Sequence, residues 1–365
     1  MPARSISLWL AVSASAGVSL TVCSGKSEVR IAVKDPVVKT RHLSLQSAVG
    51  HPLCRNGLTP GGQGHTFRTV PGIGNLSHDP EVYLNGEFLP LEEARISVLD
   101  RGFLFGDGVY EVIPAYGGRL FRLQQHLDRL DQSLQGIRLA VSISHDDWRD
   151  ILQSLLPTGE MGDQAVYLQI TRGVAPKRDH SFPVVPTPTI FAMAYPVPQP
   201  EPGQVEQGVS AITLPDTRWL RCNIKATTLL ANVLLRQQAV DEGAAEAILI
   251  RDGVAHEGTA SNLFVVEDGV ITTPPDGPEL LPGITRDLVV ELAGLHNLTL
   301  IQAPIAESRL FGADELWITS STKEIVPVIR LNERPIGEGV AGPVWRRVWS
   351  LFQAYKQQIR AGLIE

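Results

Sequence analysis

The sequence predicts an α+β protein of two domains, each mixing hairpins with helices rather than alternating strand and helix in βαβ units. Three observations carry that prediction. Turn dipeptides with flanking apolar residues occur at Asn85-Gly86, Gly117-Gly118, Asp252-Gly253 and Asp268-Gly269, which are strong short-range hairpin signals. Segments of helical period stand between and after these hairpins. Pro196-Val197-Pro198-Gln199-Pro200-Glu201-Pro202-Gly203 is a stiff, proline-rich stretch that marks a boundary. The expected division is a leader over 1–79, a small α+β domain over 80–197, a linker over 198–203 and a larger α+β domain over 204–365.

The elements follow in order. The leader is rich in Ser, Gly and Arg, poor in acids, and shows no sustained strand or helix period. Its apolar run from Ser5 to Val22 is broken by serines and a glycine, so no transmembrane helix is expected. The leader is read as disordered or as the product of a translation start assigned too far upstream; a cleaved targeting peptide and a functional disordered arm are the other readings. Regular pattern begins at Tyr83. Leu123, Leu127, Leu130, Leu134 and Ile137 step by four, three, four and three, which is one face of a helix. A second helix is expected to start at Ser144 and bury Trp148, Ile151, Leu152 and Leu155, followed by strands over 165–171 and 189–195. Beyond the linker, helices are expected over 227–242, 285–295 and 343–360, with strands near 298–301 and 315–318.

Composition narrows the function. The net charge is −7, yet residues 1–79 carry about +5, which leaves about −12 on the body. An acidic body argues against a nucleic-acid surface and for small-molecule partners. Cys23, Cys54 and Cys222 have neither paired nor metal-ligand spacing, which suits a reducing compartment. With no export signature in the body, a cytoplasmic location is expected.

Four segments bear chemistry. Asp100-Arg101-Gly102-Phe103-Leu104-Phe105-Gly106-Asp107-Gly108-Val109-Tyr110-Glu111-Val112 is rich in glycine, but the strand–loop–helix context of a nucleotide fingerprint is missing, so it also reads as a tight turn entering a strand. Arg218-Trp219-Leu220-Arg221-Cys222-Asn223-Ile224-Lys225 ends an expected strand with a lysine among apolar and small residues. Desolvation there lowers a lysine pKa and makes the amine a nucleophile towards carbonyls, although most such lysines are merely solvated. His256-Glu257-Gly258-Thr259-Ala260-Ser261-Asn262 places an acid beside small and hydroxylated residues, either as a turn or as a partner for a pyridinium nitrogen. Leu281-Pro282-Gly283-Ile284-Thr285-Arg286 opens a helix whose free amides and Thr285 hydroxyl form an anion site or simply a capped start. Thr319-Ser320-Ser321-Thr322 offers further hydroxyls.

Together, from about Tyr83 to the C-terminal helix and in consistent order, these segments resemble the fold-type IV aminotransferases, the group containing the D-amino acid and branched-chain aminotransferases. The resemblance implies the two-domain architecture of that family and pyridoxal 5′-phosphate as cofactor. By it, Lys225 is the catalytic Schiff-base lysine and proton shuttle, and Glu257 is the partner of the pyridine nitrogen. Arg129, in His126-Leu127-Asp128-Arg129-Leu130, is similar to the phosphate-binding arginine, with Ile284, Thr285 and Ser321 completing the phosphate cup. The family more usually has threonine where Ser321 stands, a departure that keeps the hydroxyl.

Members differ mainly in how they trap the substrate carboxylate. Arg178 and His180 flank one residue, so on extended backbone both side chains point the same way. Arg can clamp a carboxylate bidentately and His can add a donor. Alone, the pair would be surface charge; within the resemblance it is similar to the carboxylate trap of the D-amino acid enzymes, where Tyr110 also contributes. Arg172 competes for that role but reads as structural. In the family the trap reaches across from a neighbouring subunit, which implies a homodimer. The implied reaction moves the amino group of D-alanine to 2-oxoglutarate, giving pyruvate and D-glutamate. Branched-chain L-amino acid transamination, aminodeoxychorismate lysis and a non-catalytic cofactor-binding homologue are the alternatives.

Overall fold

A computed structural model of the chain describes residues 19–25, 28–34, 81–157, 162–198, 203 and 205–364. The chain forms two compact units, Met1–Pro71 and Gly72–Glu365. In the first, β1 (Ser19–Gly25) pairs antiparallel with β2 (Glu28–Lys34). That hairpin departs from the expectation of no strand period in the leader. The missed signal is the alternation of Val29, Ile31 and Val33 with polar or small residues, one strand long and so too short to register as sustained. The other expectations for residues 1–79, and those for most of the 198–203 linker, lie outside the described residues.

The second unit begins with a six-stranded sheet. β3 (Glu81–Leu84) and β4 (Glu87–Pro90) form the first hairpin. After the short helix α1 (Arg101–Phe105) come β5 (Gly108–Tyr116) and β6 (Arg119–Leu120), then helices α2 (Leu123–Gly136) and α3 (His145–Ser154), then β7 (Gln164–Thr171) and β8 (Thr189–Pro196). The sheet order is β4-β3-β8-β7-β5-β6. The expected periodicities explain its core: Leu127, Leu130 and Leu134 of α2 and Trp148 and Leu152 of α3 pack on Ile113, Val166 and Leu168. Ser144 caps α3 as expected, accepting from the Asp147 amide at 3.1 Å while the Asp147 carboxylate accepts from the Ser144 amide at 3.3 Å.

The remaining strands form a ten-stranded sheet. β9 (Val209–Pro215), α4 (Leu230–Asp241), β10 (Glu246–Arg251), β11 (Val254–Gly258), β12 (Asn262–Glu267) and β13 (Val270–Thr273) precede α5 (Ile284–Leu295). β14 (Leu300–Gln302), β15 (Ile305–Ala306), α6 (Glu307–Leu310), β16 (Glu315–Ser320), β17 (Glu324–Leu331), β18 (Arg334–Pro335) and α7 (Pro343–Arg360) complete it. The path β12-β16-β17-β9-β10-β11 closes on itself where Glu257 of β11 faces Asn262 of β12. Along β12 the side chains alternate between two cores. Leu263 and Val265 join Ile318 and Val328, whereas Phe264 and Val266 join Trp345 and Phe352 of α7. Among the described residues no helix is long and apolar enough to cross a membrane.

The hairpin turns fall where the dipeptides place them. Both central residues have positive φ at Asn85-Gly86 (53° and 104°), Asp252-Gly253 (52° and 74°) and Asp268-Gly269 (50° and 75°), as the tightest hairpin turns require. Two expectations fail. Lys225 does not end a strand, because β9 stops at Pro215 and the chain then turns irregularly to Ala226. The 227–242 helix starts only at Leu230, because Thr227 is held on the α1–β5 turn, its hydroxyl donating to the Gly106 carbonyl at 2.9 Å and its amide to Gly108 at 3.0 Å.

Candidate active site

A cavity of about 430 Å³ opens between the six-stranded sheet and the closed end of the ten-stranded one. Lys225, Glu257, Arg129, Ile284, Thr285, Ser321 and Tyr110 all line it. They arrive from six parts of the chain, Ile284 and Thr285 together.

Lys225 is pinned by its backbone to the first sheet. Its carbonyl accepts from the Tyr110 amide at 3.0 Å, its amide donates to the Ser133 hydroxyl of α2 at 3.2 Å, and Ala226 bridges Val109. The side-chain amine lies 4.3 Å from the centre of the Tyr110 ring. Burial, helped by the Arg129 charge and opposed by Glu111 and Glu257, brings its pKa down to about 8. An amine so placed is partly unprotonated near neutral pH and is a competent nucleophile.

Arg129 projects from α2 beside His126, one turn earlier. Two of its donors grip Glu111 of β5, at 2.8 and 2.7 Å, and a third reaches the Pro282 carbonyl at 2.9 Å. His126 Nδ1 lies 2.8 Å from the same carboxylate. Burial works against ionisation of Glu111, but Arg129 and His126 outweigh it and hold the carboxyl well below the usual range. Burial holds His126 below its ordinary value, towards the neutral imidazole.

Glu257 is 4% exposed at the sheet closure. One oxygen accepts from Arg218; the other accepts from Asn262 Nδ2 at 3.2 Å and the Leu281 amide at 3.0 Å. Burial raises its pKa and Arg218 opposes that rise. Ile284 and Thr285 are the first residues of α5, so their amides lack intrahelical partners and face the cavity wall with a positive helix end. The turn before them is tight. A Cβ on Gly283 would come 1.8 Å from Asn262 Oδ1, so only glycine fits. Thr319, 1% exposed, lines the same wall, and its hydroxyl has no protein partner.

Arg178 and His180 are placed elsewhere. They lie on an exposed loop outside any strand, both against Phe105: the guanidinium is 5.0 Å and the imidazole 5.3 Å from that ring's centre. Neither lines the Lys225 cavity of its own chain. Arg172 is buried and spends its donors on Asp107 (2.8 and 3.0 Å) and on the Ile137 and Arg138 carbonyls. The glycine-rich segment before β5 does turn into that strand, at the left-handed Gly106 (φ 65°), but a helix that the sequence reading lacked precedes the turn. That short helix is capped by Asp100, which accepts from the Gly102 amide at 2.7 Å.

Glu111, His126, Arg218 and Asn262 were not singled out by sequence. The available signal for the first two was the spacing of His126 and Arg129 on one helix face, three residues apart, which calls for a facing carboxylate. Arg218 and Asn262 lie close in sequence to Lys225 and Glu257, but nothing local marks them.

Residues 108–331 match the family model for amino-transferase class IV. The chain belongs to that family of pyridoxal-phosphate-dependent enzymes, and the fold-type IV resemblance holds. Within it, the chain is 41% identical over 273 residues to the D-alanine aminotransferase of Bacillus licheniformis, covering 75% of this chain and 96% of that one. It is 37% identical over 278 residues to the D-alanine aminotransferase of Staphylococcus haemolyticus, covering 75% and 97%. Among solved structures, it is similar to the branched-chain amino acid aminotransferase of Escherichia coli (TM-score 0.69, 26% identity, 76% of this chain and 94% of that one). The branched-chain aminotransferase of Thermoproteus uzoniensis gives a TM-score of 0.68 at 27% identity, covering 77% and 95%.

The cavity's donor set fits the cofactor. An amine of lowered pKa suits an aldehyde, a buried carboxylate suits a ring nitrogen, and a helix start with hydroxyls and a guanidinium suits a phosphate. The unpartnered Thr319 hydroxyl adds a buried polar atom that this wall otherwise leaves without a contact.

Proposed function

We propose that this chain catalyses pyridoxal-phosphate-dependent transfer of the amino group of D-alanine to 2-oxoglutarate, giving pyruvate and D-glutamate. The observation that carries the reading is the convergence of Lys225, Glu257, Arg129 and the α5 start on one cavity, in a chain 41% identical to a D-alanine aminotransferase. The two sheets are read as a small and a large domain flanking that cavity.

When bound, pyridoxal phosphate supplies an aldehyde carbon and a protonated ring able to take up the electron pair of the substrate's α-carbon. Lys225 Nζ would hold the aldehyde carbon in the resting enzyme. Once freed by an incoming amine, the Lys225 amine would be the base that takes the substrate's α-proton and carries it within the cavity. Glu257 would hold the proton on the ring nitrogen. Arg129, the Ile284 and Thr285 amides and the Ser321 hydroxyl would hold the phosphate and so fix the geometry about Lys225. Tyr110 lines the side facing the substrate.

Arg178 and His180 are assigned to the substrate carboxylate. Because they lie outside their own cavity, the reading requires them to serve the cavity of a second copy, in a homodimer. Exposed apolar residues support such an assembly: Phe103, Leu220, Leu230 and Leu234 are each more than 60% exposed, and the last two lie on α4 beside the cavity. A cytoplasmic location is proposed with it, supported by the absence of paired cysteine spacing.

The test is a half-reaction with paired D- and L-amino acids, followed through the visible absorbance of the bound cofactor. D-alanine is expected to react faster than L-leucine or L-valine. The reverse order would overturn the D-specific assignment and favour the branched-chain alternative.

A further inference from the structure

A chain of alternating charge runs from the C-terminal ends of β9 and β10 to the cavity. Arg251 Nη2 donates to Asp216 at 2.9 Å. Asp216, whose side chain is wholly buried, takes Arg218 Nε at 2.9 Å and Nη2 at 3.0 Å, and also the Arg218 amide at 3.0 Å. These bonds occupy one edge of the guanidinium and leave Nη1 to reach Glu257. Arg218 and Glu257 line the cavity, whereas Asp216 and Arg251 stand behind them.

We propose that Arg218 is a positioning residue, locked by Asp216, that keeps the Glu257 carboxylate ionised and aimed into the cavity. The inference rests on the reading that Glu257 serves the ring nitrogen of the cofactor. A carboxyl buried this deeply would take a proton if it met neutral donors alone. Its other contacts, the Asn262 amide group and the Leu281 backbone amide, are neutral. The charged or titratable groups whose fields reach Glu257 are Arg218, Asp216, Lys225, Tyr110 and Cys222. Burial pushes Tyr110 up to about 12 and raises Cys222, so both stay neutral near pH 7. Asp216 is an anion and opposes ionisation. Lys225 is committed to the aldehyde when the cofactor is bound. Arg218 is then the cation in contact with Glu257, and a guanidinium does not give up its proton in a protein. A neutral Glu257 could not hold a proton on the ring nitrogen, so the electron sink depends on Arg218 without Arg218 touching the reacting atoms.

Infrared difference spectra of the full chain, with and without pyridoxal phosphate, test this. Wild type minus Glu257→Gln isolates the Glu257 band. At neutral pH the wild type is expected to show carboxylate, and Arg218→Gln a protonated carboxyl stretch whose midpoint has risen by at least about 2 pH units. Arg218→Lys should restore the carboxylate. With cofactor bound, Arg218→Gln should lose at least about tenfold in kcat, with little change in KM, and recover as pH rises, while Glu257→Gln does not recover. A folded Arg218→Gln protein with its Glu257 still ionised at neutral pH would overturn the inference. So would a protonated Glu257 in the wild type, a measurement that holds even if Arg218→Gln does not fold. If Glu257→Gln leaves the cofactor's visible absorbance unchanged, the ring-nitrogen role of Glu257 fails, while the infrared result for Arg218 still stands or falls on its own.

Discussion

The Lys225 cavity and the Arg178–His180 loop hold charges in opposite ways. In the cavity the charges that flank Lys225 are gripped: Arg129 by Glu111 and Pro282, Glu257 by Arg218, Asn262 and Leu281. On the loop, Arg178 and His180 stand exposed against Phe105. Groups that must keep one geometry through a reaction are buried and braced on sheets and helices. On the proposed reading the groups assigned to the substrate sit on an exposed segment, where local changes cost the fold little.

The sharpest way to break this comparison is at its centre. Lys225→Ala should lower kcat by at least about 10³-fold, with cofactor still captured by the phosphate end; near-normal turnover would remove Lys225 from the chemistry. Glu111→Ala should come next in structural effect. It leaves Arg129 buried and uncompensated, at a cost of about 3–5 kcal/mol in denaturant unfolding, and it should weaken cofactor retention too.

On the loop the expected effects change in kind. Arg178→Ala should lower kcat/KM for both amino and oxo acids by about 10- to 100-fold, while cofactor stays bound and stability moves by less than about 0.5 kcal/mol. Loss of cofactor in that variant would mean that the trap is misplaced. pH separates the regions again. The cofactor-free amine should react with aldehydes increasingly as pH rises through about 8, because its ammonium form is disfavoured by burial and deprotonates below the ordinary lysine range. An unshifted profile would show that Lys225 is solvated. The smallest effect belongs to a feature far from either region. Ser144→Ala removes the cap of α3 and should cost about 1 kcal/mol in thermal unfolding, with kcat unchanged.

Much of the fold was legible because it is local. The dipeptides at Asn85, Asp252 and Asp268 dictate positive φ by their own chemistry, and the apolar steps of α2 and the Ser144 cap of α3 lie within a few turns of chain. The first turn of α4 and the strand expected before Lys225 were misread for the opposite reason. Thr227 and Lys225 take their backbone bonds from Gly106, Gly108, Tyr110 and Ser133, nearly a hundred residues or more away in sequence.

The same division runs through the site. Sequence by itself determined the residue types and their order: a lysine among apolar neighbours, an acid before small residues, a glycine-opened helix. These suffice because each motif carries its chemistry in a few adjacent residues. Only the tertiary structure decided that they meet in one cavity, that Glu111 braces Arg129, that Arg218 faces Glu257, and that Arg178 and His180 stand apart. Those relations depend on pairings between distant strands, above all the closure of β11 on β12, and distance in space has no local signature in a chain.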